Sequence, residues 1–331
     1  MRSCFQGICL ILLPATAMAQ RQGLVSTFGD SMKITNGFSF SADGRKLFTS
    51  EREAIGKQDG RHVWRMHGAN EQRRQSVTLF EYDVDGPVLR NRRRLPFAND
   101  SLDYYPLLSH DGRRLLFNSR RPIPGPDSLD GTNVHVWMVE ARGGAWGPPQ
   151  YVDAVNLRGF VSQYAQQLAD TSLLFVSNRP GSVAGPDGRP SFDLWEAAWK
   201  NGTWQAPTNL GFFNTGQDEE GPFIDRTGRL LFFKRNSAGE SHVFVSVREN
   251  GRWRPARQVY LSDFGGYDEH SPRVSADGRT FYFSHGLTVM HIALDELLTA
   301  EERALLRAAP PRPLSWKRRP RTRRRRPRSR H

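Results

Sequence analysis

Acidic side chains stand just before several short apolar segments of this chain, where carboxylates could do acid–base chemistry. Asp103 precedes YYPLL, Glu219 and Glu220 precede GPFI, and Glu269 precedes HSPRV. A glycoside hydrolase requires two opposed carboxylates about 5 to 9 Å apart, one of them acting as the acid. Glu219, Glu220, Glu269 and Asp103 are therefore the candidate catalytic residues of a hydrolase or lyase.

The same positions could instead bind a ligand without transforming it. Mixed carboxylates, amides and guanidiniums around a pocket fix the orientation of a sugar or a peptide. The candidate ligand-binding residues are Tyr104, Gln163, Glu220, His270, Arg120, Arg179 and Arg235. A third interpretation is that these arginines and acids form ion pairs between neighbouring structural units and only hold the fold together. Such pairs use the same residue types as a binding site, so this interpretation stays open.

Other catalytic and metal-binding patterns are missing from the sequence. There is no Gly-x-Ser-x-Gly elbow of a serine hydrolase, no His-Glu-x-x-His zinc motif and no calcium-loop motif. We therefore expect no cofactor and no metal site. A fold by itself does not fix an activity, so an enzyme would have to be recognised from its site. Because these motifs are missing, a non-enzymatic module is favoured over an enzyme.

The elements that position these residues come from an internal repeat. Five segments align: NGFSFSADGRKLFTS from Asn36, YYPLLSHDGRRLLFNS from Tyr104, YAQQLADTSLLFVS from Tyr164, EGPFIDRTGRLLFFK from Glu220 and HSPRVSADGRTFYFS from His270. In four of the five a glycine follows the turn residue, and apolar residues then alternate with period two. The pattern predicts a strand, a tight turn and a half-buried second strand in each unit.

A second block follows three of these hairpins. It reads HVWMVEARGGAWGPPQYV from His135, DLWEAAWKNGTWQAPTNL from Asp193 and HVFVSVRENGRWRPARQV from His242. An aromatic strand, a glycine-containing turn and an outer strand marked by proline form a second hairpin. Two hairpins per repeat predict an all-β propeller of five four-stranded blades, with six left as the alternative.

The Pro-x-x-Ser-x-Asp-Gly-x-x-Leu-x-Phe pattern, followed by Asn-Gly-x-Trp-x-x-Pro, resembles the WD40-like propeller repeat of TolB-type periplasmic proteins. The resemblance extends over residues 23 to 293. Phe38 and Ala165 depart from it where proline is expected, and Asp170-Thr171 lacks the glycine. The resemblance implies an envelope protein whose propeller acts as a binding or scaffold module.

The last repeat is too short to supply its own outer strand. We expect the stretch from Gly23 to Phe28 to complete it, because a closed ring leaves no open sheet edge. After the propeller, Thr299-Ala300-Glu301-Glu302 has the pattern of a capping box and predicts a short helix.

The first 19 residues have the features of a secretory signal peptide. Arg2 precedes an apolar run, and Ala17-Met18-Ala19 offers a small-x-small cleavage site. The prediction is cleavage after Ala19 and a periplasmic or secreted protein. Cys4 and Cys9 lie within this segment, so we expect no disulfide in the mature protein. The predicted organisation is a signal peptide at 1–19, a propeller at 20–294, a helix at 295–309 and a tail at 310–331.

The formal charge of +13 is concentrated at one end of the chain. Of the 47 Lys and Arg residues, eleven lie between 310 and 331, where no acid is found, whereas 35 basic residues face 34 acidic ones over 20–309. A proline-punctuated tail of like charges cannot bury apolar surface and is expected to be disordered. It is either a solubility tail or a tether to anionic lipid or lipopolysaccharide.

These observations lead to one main functional hypothesis. The chain is expected to be an exported, monomeric binding or scaffold module that takes an envelope protein or peptide, or a glycan, at its loop-rich channel face. No nucleic-acid partner is expected, because the folded body is nearly neutral. The alternative is a secreted carbohydrate-active hydrolase or lyase.

Overall fold

The fold is an all-β ring of five antiparallel sheets followed by two short helices. In this computed structural model the described residues are 25–28, 37–52, 54–58, 61–64, 66–67, 74–75, 77–99, 102–125, 133–237, 239–261 and 269–307. The expected signal peptide, the basic tail and parts of the 53–75 insertion lie outside them. The five sheets confirm the five-bladed propeller expected from the repeats.

Every blade starts with three strands joined by successive hairpins, and a fourth strand lies at its outer edge. The bounds in blade 1 are Phe38–Phe40, Lys46–Arg52, Val77–Asp85 and Val88–Arg94. In blade 2 they are Tyr104–Leu108, Arg114–Ser119, His135–Arg142, Ala145–Trp146 and Gln150–Tyr151. In blade 3 they are Ser162–Gln167, Leu173–Ser177, Asp193–Ala197 and Thr208–Asn209.

The remaining strands complete the ring and its side hairpins. In blade 4 the bounds are Asp218–Ile224, Leu230–Ser237, Glu240–Glu249, Arg252–Trp253 and Arg257–Gln258. In blade 5 they are Glu269–Val274, Thr280–His285, Thr288–Ala293 and Val25–Ser26. Side hairpins outside the blades are Ala54–Gln58 with Arg61–Trp64, Met66–His67 with Arg74–Gln75, and Trp199–Lys200 with Thr203–Trp204.

The tight turns between first and second strands are held by side chains of the repeat. In blade 2, Ser109 Oγ donates to Asp111 Oδ1 at 2.6 Å and accepts the Arg114 N–H at 2.9 Å. Blade 4 reverses the two side chains: Asp225 accepts the Leu230 N–H, and the Thr227 hydroxyl donates to Asp225 at 2.6 Å. The same turn is therefore made with the acid and the hydroxyl exchanged.

Apolar side chains between neighbouring blades close the ring. Second-strand residues alternate, so consecutive side chains face opposite neighbours. Each of the five interfaces has its own buried cluster, represented by Leu79 with Phe117, Met138 with Phe175, Val176 with Phe233, Phe232 with Phe281, and Val289 with Phe38. The last pair joins blade 5 to blade 1.

The outer edge of blade 5 is completed by residues from before blade 1, as expected. Val25 pairs with His291 and Ser26 with Met290 in antiparallel register. The Thr27 hydroxyl lies 3.0 Å from Nδ1 of His291, and Phe28 packs into the cluster between blades 5 and 1.

Two helices follow the last strand, Leu294–Leu297 and Ala300–Arg307. The predicted capping box is present: Thr299 Oγ1 accepts the Glu302 N–H at 3.1 Å, and Glu302 accepts the Thr299 N–H at 2.7 Å. Glu302 also pairs with Arg257 of blade 4. Within the described part of the chain, neither helix has the length and apolar content to cross a bilayer.

Blade 3 offers a test of the turn geometry. Thr171 occupies the glycine position with a φ of 73°, a conformation that costs an L-residue with a side chain about 1 to 2 kcal/mol. We expect Thr171→Gly to raise the free energy of unfolding by about 1 kcal/mol, measured by urea denaturation. Thr171→Ala keeps a Cβ and serves as the control, which should not raise the free energy of unfolding. A loss of stability in Thr171→Gly would contradict this account.

Candidate functional site

The inner strands line a central channel and share one backbone feature near their starts. A residue with positive φ lies directly before the inner strand in blade 1 and within it in blades 2 to 5: Gly37 at 80°, Tyr105 at 56°, Tyr164 at 57°, Gly221 at 57° and Ser271 at 55°. The strand register shifts at this point in blades 2 to 5. Such a bulge bends the strand and redirects the neighbouring side chains.

We call the end of the channel where inner strands begin the mouth face, and the opposite end the turn face. At the mouth face, a residue within one position of the first residue of the inner strand is buried in blades 2 to 5. These residues are Asp103, Ser162, Glu219 and Glu269. The carboxylates among them are three of the four candidate catalytic groups.

Two of these carboxylates are paired with arginines. Asp103 Oδ2 lies 2.7 Å from Arg121 Nη2, and Glu219 Oε1 lies 2.7 Å from Arg235 Nε. Each pair joins the first strand of a blade to the end of its second strand. The pairing expected between blades is therefore found within them, because antiparallel strands place the start of one beside the end of the next.

The arginines also cover the core of their blades. The Arg121 guanidinium carbon is 4.8 Å from the Phe117 ring centre, and that of Arg235 is 4.3 Å from Phe244. Arg179 repeats the arrangement over Phe175 at 4.8 Å, although its partner at the strand start is the Ser162 hydroxyl, 3.2 Å away. The candidate ligand-binding residues Arg179 and Arg235 thus stack on aromatic rings.

Burial dominates the electrostatics of the buried carboxylates. It raises the pKa of Asp103, while the Arg121 charge and hydrogen bonds act in the opposite direction. It likewise raises the pKa of Glu219, opposed by hydrogen bonds from Thr215 and Arg235. Taking a charge out of water destabilises it, and nearby cations and donors offset that effect.

Three candidate residues form a hydrogen-bonded line across neighbouring blades at the mouth. The Tyr104 hydroxyl donates to Gln163 Oε1 at 2.9 Å, and Gln163 Nε2 donates to Glu220 Oε1 at 3.4 Å. Glu220 Oε2 lies 2.6 Å from Nζ of Lys234, a residue that the sequence analysis did not select. Burial, followed by the Glu220 charge, raises the pKa of Tyr104.

The remaining candidates lie at different places around the mouth. The His270 ring contacts the Ser271 hydroxyl at 2.9 Å and the Gly286 carbonyl at 3.1 Å, both within blade 5. Arg120 is half-buried in blade 2, and its charge opposes the rise in the pKa of Tyr104. Glu269 stands opposite His285 in the strand register.

An open cleft lies beside this line, between blades 3 and 4. It has a volume of about 670 Å³. Its polar lining includes Asn178, Arg189, Gln217, Asp218 and Asn236. Burial raises the pKa of Asp218, and the hydrogen bond from the Phe192 N–H opposes this. The nearby Glu220 charge raises the pKa further.

The 180–192 insertion forms one side of the cleft and is held in a fixed shape. Asp193 Oδ2 accepts the Val183 N–H at 2.9 Å, and the Ser191 hydroxyl donates to Asp193 Oδ1 at 2.8 Å. Asp218 Oδ1 accepts the Phe192 N–H at 2.9 Å. Because both ends of the insertion are bonded to blade residues, the cleft is built before any ligand enters.

Sequence reasoning identified the insertion but not Asp218. The signal available was its position: it begins the inner strand of blade 4, one residue before Glu219. Among the described residues, no group of three or more His, Cys, Asp or Glu side chains is arranged to hold a metal ion.

The buried pairs at the mouth allow a stability test. We expect Arg121→Met to lower the free energy of unfolding by about 3 to 5 kcal/mol, because it leaves the Asp103 carboxylate buried without its cation. Adding Asp103→Asn should recover most of the loss. Arg120→Met is the matched control, and an equal cost for the two arginines in urea denaturation would refute the structural role of the pair.

No family model matches the sequence, and no curated protein matches it. Several solved structures do match it. TolB from Acinetobacter baumannii matches at 13% identity and a TM-score of 0.44, over 78% of this chain and 53% of TolB, so the chain spans about half of that protein.

Two enzymes are similar in the same way. A gluconolactonase from Xanthomonas campestris matches at 15% identity and a TM-score of 0.44, over 84% of this chain and 92% of the enzyme. An oligogalacturonate lyase from Vibrio parahaemolyticus matches at 12% identity and a TM-score of 0.39, over 82% of this chain and 68% of the lyase.

Proposed function

We propose that this protein is a non-enzymatic binding or scaffold module of the cell envelope. Its ligand is an extended peptide segment of an envelope protein, held at the mouth face in the cleft between blades 3 and 4. The observation that carries the proposal is the preformed cleft of about 670 Å³ beside a channel mouth whose polar groups already bond to one another.

The engagement of the candidate acids supports binding over catalysis. Asp103, Glu219 and Glu220 each lie within 2.7 Å of a cationic nitrogen, from Arg121, Arg235 and Lys234 respectively. A general acid must be able to approach its substrate and change protonation during the reaction. Carboxylates held in these ion pairs stabilise the shape of the mouth instead.

The chemistry of the cleft suits a peptide. The side-chain amides of Asn178 and Asn236 already bond within the chain, since Asn178 accepts the Val161 N–H and Asn236 bonds to Glu220 and Ser241. Each amide oxygen has a second lone pair and each amide nitrogen a second N–H for a peptide backbone. Pro186, Pro190 and Phe192 add apolar surface. The exposed pair of Asp187 and Arg189, 3.8 Å apart, places both signs of charge at the rim.

An envelope location rests on the signal peptide predicted at residues 1–19 and on the propeller repeats. The basic tail would add a second contact, because clustered arginines near an anionic surface gain favourable electrostatic energy. We include this tether in the proposal, with anionic lipid or lipopolysaccharide as its partner.

The cleft is tested with a phage-displayed library of random twelve-residue peptides selected on the full chain. We expect Asp218→Asn and Arg189→Ala each to weaken the selected peptides about tenfold, measured by calorimetry. Asp277→Asn and Arg279→Ala make the same chemical changes on the turn face and should leave affinity unchanged.

Other outcomes would overturn the proposal. A library without binders, or peptides equally weakened by the turn-face controls, would remove the cleft as the site. A glycan array that captures the protein when peptides do not would replace the peptide with a sugar. Turnover of any glycan by the full chain would establish the carbohydrate-active alternative.

The tether has its own test. The full chain should bind vesicles of anionic phospholipid in low salt and lose binding as salt rises, because screening shortens the reach of exposed charges to about 8 Å at physiological ionic strength. A chain ending at residue 309 should not bind. Equal sedimentation of both chains with the vesicles would exclude the tail as the anchor.

A further inference from the structure

A small cavity lies at the opposite end of the channel, on the turn face. It has a volume of about 50 Å³ and is surrounded by residues of four blades. Its polar lining includes Ser39 from blade 1, His110 from blade 2, Arg226 from blade 4 and Arg273 from blade 5. His110 and Arg226 occupy the same position in the turns of blades 2 and 4.

Arg273 is the most deeply buried cation of this cavity, with 3% of its surface exposed. Its Nε donates to the Phe38 carbonyl at 3.0 Å, and its Nη1 donates to the Pro272 carbonyl at 2.7 Å and the Tyr105 hydroxyl at 3.2 Å. All of these acceptors are neutral. Its Nη2 has no hydrogen-bond partner among the described residues.

Aromatic rings partly compensate the buried positive charge of Arg273. The guanidinium carbon lies 4.7 Å from the ring centre of Tyr105, 5.4 Å from Phe223 and 5.8 Å from Phe38. Ring faces attract a cation, but less strongly than a carboxylate does. A buried guanidinium with one free donor therefore has unused capacity for an anion.

Further donors face the same space. Ser39 is buried, and its Oγ accepts the Leu108 N–H at 3.0 Å, so the hydroxyl hydrogen remains for another partner. His110 adds an imidazole; burial, followed by the Arg226 charge, lowers its pKa, and a neutral imidazole still carries one N–H. Arg226 is exposed at the rim and donates to the His110 carbonyl.

No acidic residue lines this cavity. The carboxylates of the adjoining turns are already committed to those turns. Asp225 accepts the N–H groups of Arg229 and Leu230 at 2.9 and 2.8 Å, and Asp111 accepts the Ser109 hydroxyl at 2.6 Å. Arg226 and Arg273 are therefore the charged side chains of the lining itself.

We propose that this cavity is an anion site that binds one carboxylate group, with Arg273 and Ser39 as its buried donors and Arg226 at its rim. The bound carboxylate contacts blades 1 and 5, and through Arg226 blade 4, so it links blades across the channel. Binding to the folded ring alone raises stability as the anion concentration rises. The site is independent of the cleft at the mouth face.

The size of the cavity selects the ligand. A volume of about 50 Å³ accepts a single small group, such as a formate or acetate ion or the terminal carboxylate of a longer chain. The free ion and the tethered group share the same chemistry at Arg273. Formate and acetate are the probes for the site, and a short peptide with either a free or an amidated C-terminus separates the two sources.

The test measures thermal unfolding and isothermal calorimetry of the full chain with sodium formate and sodium acetate, at constant ionic strength held with a bulky sulfonate. We expect a saturable rise in Tm with either carboxylate. Arg273→Gln should weaken binding at least about tenfold, since a hydrogen bond to a charged group is lost. Ser39→Ala should weaken it less, and the amidated peptide should not bind where the free one does.

The control is Arg279→Gln, which removes an equal charge from the same face at an exposed position outside the cavity. It should retain the full response. The proposal is overturned if formate and acetate give no saturable shift, if only chloride or phosphate does, or if Arg273→Gln and Arg279→Gln respond alike. Should Arg273→Gln fail to fold, unchanged formate affinity in Ser39→Ala together with Arg226→Gln would overturn it equally.

Discussion

A left-handed residue near the start of every inner strand is the constraint on which both ends of the channel depend. At the bulge the strand leaves its partner, and its free N–H turns to the neighbouring blade. The Tyr164 N–H reaches Asn118 Oδ1 at 2.9 Å, and the Tyr105 N–H reaches Ser50 Oγ at 3.5 Å. The Tyr105 ring then lies against Gly37 and Gly221, where a Cβ would come within 3.0 Å of it.

This bulge separates the polar groups of the channel into one set at the mouth face and another at the turn face. On its mouth side, the acids Asp103 and Glu219 pair within their own blades, and the line from Tyr104 to Glu220 runs between blades. On its turn side, Arg273 bonds to a carbonyl of the next blade and to neutral acceptors only. The buried acids Asp103 and Glu219 of the mouth are thus held in ion pairs, whereas Arg273 on the turn face has only neutral acceptors.

Local patterns in the sequence were sufficient to predict the blades, the turns and the closing strand. Ser109-x-Asp111 turns and alternating apolar residues act over a few positions, and the short last repeat required a strand from elsewhere. The sites were less predictable because they depend on contacts between distant segments. Nothing local marks the positive φ of Tyr105 and Tyr164, except that Gly37 and Gly221 occupy the aligned position in other repeats. The pairing of Arg235 within its own blade likewise required the strand register.

The strand Val25–Ser26 makes the closure of the ring a contact between distant parts of the chain. Thr27 contacts His291, 264 residues away, so the final closure joins segments synthesised first and last among the blades. Contacts of such separation form slowly, because loop closure costs entropy before the contact is gained. Until then blade 5 has three strands and an open edge. An unpaired sheet edge is a template for a strand of another chain, which makes strand exchange a hazard while the ring is open.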